Sequence, residues 1–163
     1  MTGNDLVSLY ELSYFALNRN LDGITNEESL LVPQPAGNTI NWVVGHIVNA
    51  RGAVLSLAGA SPIQLGDAAA IYRRGSAPMH GGEDVLDLGT LRGLLADSQQ
   101  QLIPALAVIS EDSLALPVPE AMRRPPLTGS VGEALVRLAY HESYHNGQIG
   151  LLRRLAGKAG AIA

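Results

Sequence analysis

Apolar residues recur at three- and four-residue steps along four stretches of the chain, and segments rich in glycine and proline separate those stretches. That pattern predicts an all-α protein. In residues 5–20, Leu6, Leu9, Tyr10, Ser13 and Leu17 share one face, with Asn4 as the expected N-cap. The second helix follows Pro33, Pro35 and Gly37, is capped by Asn38 or Thr39, and carries Ile40, Val43, Ile47, Val54 and Leu57 to about residue 58. Its Gly45, Ala50, Gly52 and Ala53 would let another helix approach closely. The third helix, from Asp87 or Thr90 to Ile109, places Leu91, Leu94, Leu95, Ser98, Leu102, Leu106 and Ile109 on one face, and Pro104 inside it predicts a kink. The fourth, over 131–156, has the clearest ends: Ser130 with Glu133 reads as a capping box, and Arg153 and Arg154 precede Gly157.

Residues 59–86 hold Pro62, Gly66, Gly75, Pro78, Gly81 and Gly82 and are too long for a tight antiparallel turn. The expected architecture is therefore a four-helix bundle with a long crossover between helices two and three, a single domain over 1–163. Composition agrees, because 163 residues that are 47% hydrophobic and 16% charged can bury a sizeable core. The absence of cysteine excludes disulfides, thiolate metal sites, iron–sulfur clusters and a cysteine nucleophile. A metal would have to use His, Asp or Glu, and thiol chemistry would need an external thiol. Eleven basic against fifteen acidic residues leave a net charge of -4, with the Arg pairs 73/74, 123/124 and 153/154 scattered, so nucleic acid is not an expected partner. No stretch approaches the roughly 18 uninterrupted apolar residues of a membrane span. The opening MTGNDLVSLY has neither a basic leader nor an apolar run, so a cytoplasmic location without membrane association is expected.

The candidate chemistry lies in the histidines. His141 and His145 stand one turn apart on the fourth helix, a spacing at which two imidazoles can share a metal, on a face continued by Ala134, Leu138, Gln148 and Leu152. His46 lies on the stripe of the second helix that includes Trp42, Val43, Ala50 and Leu57. Packing these helices at an interaxial distance of roughly 8–10 Å would bring the three rings together. Three neutral imidazoles suit Zn, Ni or a similar divalent ion and leave coordination positions open. The plainer alternative is two surface histidines with separate hydrogen bonds, but burying three imidazoles without a shared ligand is costly. His141-Glu142-Ser143-Tyr144-His145 also spells H-E-x-x-H, the metalloprotease signature. Nothing after His145 is a His, Asp or Glu, and Glu142 lies about 100° round the helix from His141. A peripheral carboxylate, or one that supports the ligands, is therefore favoured over a catalytic base, and activity is expected to tolerate Glu142→Gln if Glu142 is not that base. His80 is expected to be solvated.

At NWVVGHIVNAR (41–51) and HESYHNGQIGLLRRLAG (141–157), and again at IYRRGSAP (71–78), the chain resembles the DinB-like superfamily, metal-binding helical bundles that include the YfiT-type proteins and thiol-dependent S-transferases. The resemblance implies His46, His141 and His145 as metal ligands near one end of the bundle, and a homodimer. Leu12, Leu31 and Leu155, apolar beyond the evident stripes, agree with self-association. Tyr72, Arg73 and Arg74 are candidates for binding an anionic thiol cofactor, against a solvated loop. Arg137, one turn before His141, could face the same cleft or form a surface ion pair. Trp42 would wall the site or pack in the core, and Asn49, Tyr144 and Gln148 could orient imidazoles or bridge helices.

The first reading is a metal-dependent transferase that binds bacillithiol, mycothiol or glutathione, lowers its pKa and presents the thiolate to a small electrophile in detoxification or stress response. Three visible ligands rather than four favour an open site. A non-catalytic bundle braced by its metal and a metal-assisted hydrolase using Glu142 stand as the alternatives.

Overall fold

A computed structural model describes residues 2–77, 79, 85–124 and 127–162. Among them there are six α-helices, two short 3-10 turns and no strand beyond two isolated bridges. Four helices are long: α1 (Gly3–Leu21), α3 (Ile40–Leu57), α4 (Leu88–Ala107) and α6 (Val131–Leu155). Helix α1 packs against α4 and α6, and so does α3.

The ends follow local chemistry. Ser130 and Glu133 satisfy each other's backbone N–H groups at the start of α6, and Thr39 and Asp87 cap α3 and α4. The cap of α1 is Thr2 rather than Asn4, because Thr2 and Asp5 form a reciprocal box that starts the helix two residues early. Two short helices escape the periodicity reading: α2 (Asn26–Ser29), opened by a Thr25/Glu28 box, and α5 (Glu111–Ala115), capped by Ser110. Each is a single turn held by its cap, too short to show an apolar period. Helix α4 runs on past Pro104 to Ala107.

The core divides into two apolar clusters. One holds Leu17, Leu21, Trp42, Val43, Ile47, Tyr72, Leu91, Leu95 and Ile149; the other holds Leu6, Tyr10, Val54, Leu55, Leu102, Leu106, Leu135 and Leu138. On every long helix buried polar residues separate them: Ser13 on α1, Arg51 on α3, Ser98 on α4, and Glu142, His145 and Asn146 on α6. Leu9, expected on the buried stripe of α1, is 43% exposed, since Ser13 and Tyr10 take the inward positions.

Two of the small residues of α3, Gly45 and Gly52, seat the following segment rather than a helix. A Cβ on Gly45 would lie 2.2 Å from the Tyr72 ring, and the atoms nearest Gly52 belong to Pro62 and Ile63. Tyr72 donates its hydroxyl to Asn41 Oδ1 and accepts from Leu86 N–H, while Trp42 Nε1 donates to the Ile71 carbonyl and Ser76 Oγ. These bonds clamp the turn after residue 70 onto the first half of α3. Gly45→Ala is accordingly expected to cost about 1–3 kcal/mol through overpacking, read as a lower urea midpoint at unchanged slope.

Candidate metal centre

Helices α3 and α6 bring His46, His141 and His145 together, as the spacing predicts. His141 Nε2 lies 3.2 Å from His46 Nε2 and 3.1 Å from His145 Nε2. His46 and His145 are buried and His141 is half-buried. Trp42 stacks on His46 at 4.7 Å between centroids with planes 10° apart, closing one side of the cluster.

Two rings are held from behind. His46 Nδ1 donates to the Tyr72 carbonyl at 2.8 Å, and His145 Nδ1 donates to Gln148 Oε1 at 2.7 Å. A neutral imidazole with its proton on Nδ1 carries its lone pair on Nε2, so both turn an acceptor into the cluster. For those two contacts to be hydrogen bonds, His141 Nε2 would have to supply the one proton that both share. Its Nδ1 is buried and, among the described residues, is the one such side-chain nitrogen or oxygen with no hydrogen-bond partner. Three nitrogens crowded around one hydrogen, with an orphan behind, form an under-satisfied arrangement.

A cation relieves that crowding. Nitrogens sharing an ion at about 2.0–2.1 Å stand about 2.8–3.4 Å apart for angles between 90° and tetrahedral, and the two spacings here fall in that range. The three histidines could therefore hold a metal ion. Electrostatics favour the neutral ligand state. Burial, and then the charges His145 and His46 would carry, push His141 down to about 4. Burial is also the largest cause lowering His46 and His145, and the nearby positive charge of Arg74 adds to the shift at His46 and His141. At neutral pH the rings need not lose charge for a metal to enter; the His141 proton has only to pass from Nε2 to its unpartnered Nδ1.

Glu142 is not poised as a base. Arg51 donates from Nε to Oε2 at 2.8 Å and from Nη2 to Oε1 at 2.7 Å, and Ser13 Oγ donates to Oε1 at 2.7 Å. Arg51 Nη1 bonds Ser98 Oγ at 3.0 Å and Gln99 Oε1 at 2.9 Å, so one guanidinium ties α3 to α4 and α6. Both partners are buried. Glu142→Gln would leave a buried arginine without its counter-ion, so the expected cost of that change falls on the stability of the fold. Arg51 was missed as a structural residue, although it is the lone charged side chain in the 18 residues of α3, a signal available in the sequence.

The remaining candidates are dispersed. Tyr72 is fully buried and reaches the site through its carbonyl; Arg73 and Arg74 are exposed on the same turn. Arg137 lies against the Thr128 carbonyl and 3.9 Å from Glu133. Tyr144 packs edge-on against His145 and accepts a hydrogen bond from Gln148, whereas Asn49 makes none of the bonds that hold the three rings. His80 lies outside the described residues.

The chain belongs to the DinB superfamily, whose family model matches residues 10–149. A crystal structure described as the conserved protein of locus from Enterococcus faecalis superposes with a TM-score of 0.71, at 21% identity over 97% of this chain and 99% of that one. At that identity the likeness shows a shared fold. No curated protein matches the chain. Among the described residues no helix is long and apolar enough to cross a membrane.

Proposed function

We propose that this DinB-superfamily chain is a cytoplasmic, metal-dependent thiol S-transferase, built as a four-helix bundle with residues 59–86 crossing between its second and third long helices. The observation that carries the reading is the convergence of three Nε2 atoms, two with lone pairs aimed inward by Tyr72 O and Gln148 Oε1. Zn or Ni bound there would stabilise a thiolate at neutral pH. With no cysteine, the chain supplies no thiol, so the thiol is a co-substrate such as bacillithiol, mycothiol or glutathione. The thiol loses its proton to solvent, its sulfur bonds to the carbon of an alkylating electrophile, and the leaving group departs with its electron pair. On the turn after residue 70, Arg73 and Arg74 would attract the anionic groups of the thiol.

The functional unit in this proposal is a homodimer. Its support is the outward face of α6, where Tyr140, Tyr144, Leu151 and Leu155 are 74%, 57%, 59% and 62% exposed, beside Leu12 of α1 at 67%. Untagged, metal-loaded protein should conjugate at least one of these thiols to an alkylating electrophile, and run at twice 17.1 kDa by light scattering. Conjugation should vanish in His46→Ala. Failure of all three thiols to give metal-dependent product, with metal bound, would leave the non-catalytic bundle as the better reading.

A further inference from the structure

The three histidines are not held alike. His46 is fixed by a backbone carbonyl, which can only accept, and His141 Nδ1 has no partner. His145 alone is backed by a side-chain amide, Gln148, whose two ends have opposite roles: Oε1 accepts and Nε2 donates. With Oε1 toward the ring, Nδ1 carries the proton and Nε2 offers a lone pair to the cluster. Turned about its terminal bond, the same amide would donate to Nδ1 and move the ring proton to Nε2, into the 3.1 Å contact with His141. There it would occupy the position a metal needs. The amide is anchored at its other end by the Tyr144 hydroxyl at 3.2 Å, and a hydroxyl can serve either orientation as donor or acceptor.

We infer that Gln148 is a positioning residue that decides which nitrogen of His145 carries its proton, and hence whether that ring can serve as a metal ligand. This rests on the metal-centre reading and adds to it a residue that touches no metal. Its effect is transmitted through His145 alone, while His46 keeps its geometry through Tyr72.

The test uses the full chain with Zn2+ as probe. Gln148→Leu, which removes the acceptor, should weaken Zn2+ binding about 10- to 100-fold in competition with a chromogenic chelator. Gln148→Glu, which can only accept, should bind at least as tightly as the parent. In the metal-free protein, 15N shifts should show His145 protonated at Nδ1 in the parent and in Gln148→Glu, and a mixture or the Nε2 form in Gln148→Leu. Parent-like Zn2+ affinity in Gln148→Leu, or equal losses in the Leu and Glu variants, would overturn the role of Gln148 while leaving the metal centre standing. A parent chain that binds no Zn2+ would overturn both.

Discussion

Arg51→Met should lower the unfolding free energy by about 3–5 kcal/mol, because it strands the Glu142 carboxylate in the core. The guanidinium makes two bonds to Glu142 and further bonds to Ser98 and Gln99, and it is fully buried at the level where both apolar clusters end. Glu142→Gln should cost a comparable amount, since a neutral amide leaves the positive charge uncompensated. The double replacement Arg51→Met/Glu142→Leu should be more stable than either single variant, as removing both charges abolishes the desolvation penalty. Urea unfolding measures all three. Single variants within about 0.5 kcal/mol of the parent would mean that the pair is not buried in solution.

The second large effect is stabilisation by metal. An ion that binds the folded chain and not the unfolded one adds about 4 kcal/mol at a free concentration 1,000 times its Kd. For a chain of this size that raises Tm by roughly 8–16 °C. The relief should be pronounced because His141 Nε2 lies 3.2 Å from His46 Nε2 and 3.1 Å from His145 Nε2, with His141 Nδ1 unpartnered behind it. Scanning calorimetry with and without Zn2+ reads the shift, which should disappear in His46→Ala. An equal shift in that variant would place the binding elsewhere.

The parts of this molecule legible in its sequence are those set by local pattern. The Ser130/Glu133 capping box, the inward stripes of α3 and α4 and, Leu9 apart, of α1, and the His46, His141 and His145 constellation depend on spacing along one helix or on two stripes that must face each other. What stayed hidden depends on register between helices. Ser13 and Ser98 sat within apolar stripes as minor interruptions; only when four helices are aligned do they meet Arg51 and Glu142 as one polar layer. The support of His46 was equally invisible, because it is a backbone carbonyl, and every residue carries one. The H-E-x-x-H spelling misleads for a related reason. Adjacent residues on a helix point about 100° apart, so His141 faces the other two histidines while Glu142 faces Arg51.

Elemental analysis of untagged, purified protein tests the three-histidine centre most directly. About one transition-metal ion per chain is expected in the parent, with loss of that ion in His46→Ala, His141→Ala and His145→Ala while the far-UV helical signal persists. Parent-level metal in all three variants, or none in the parent even after incubation with Zn2+ or Ni2+, would contradict it.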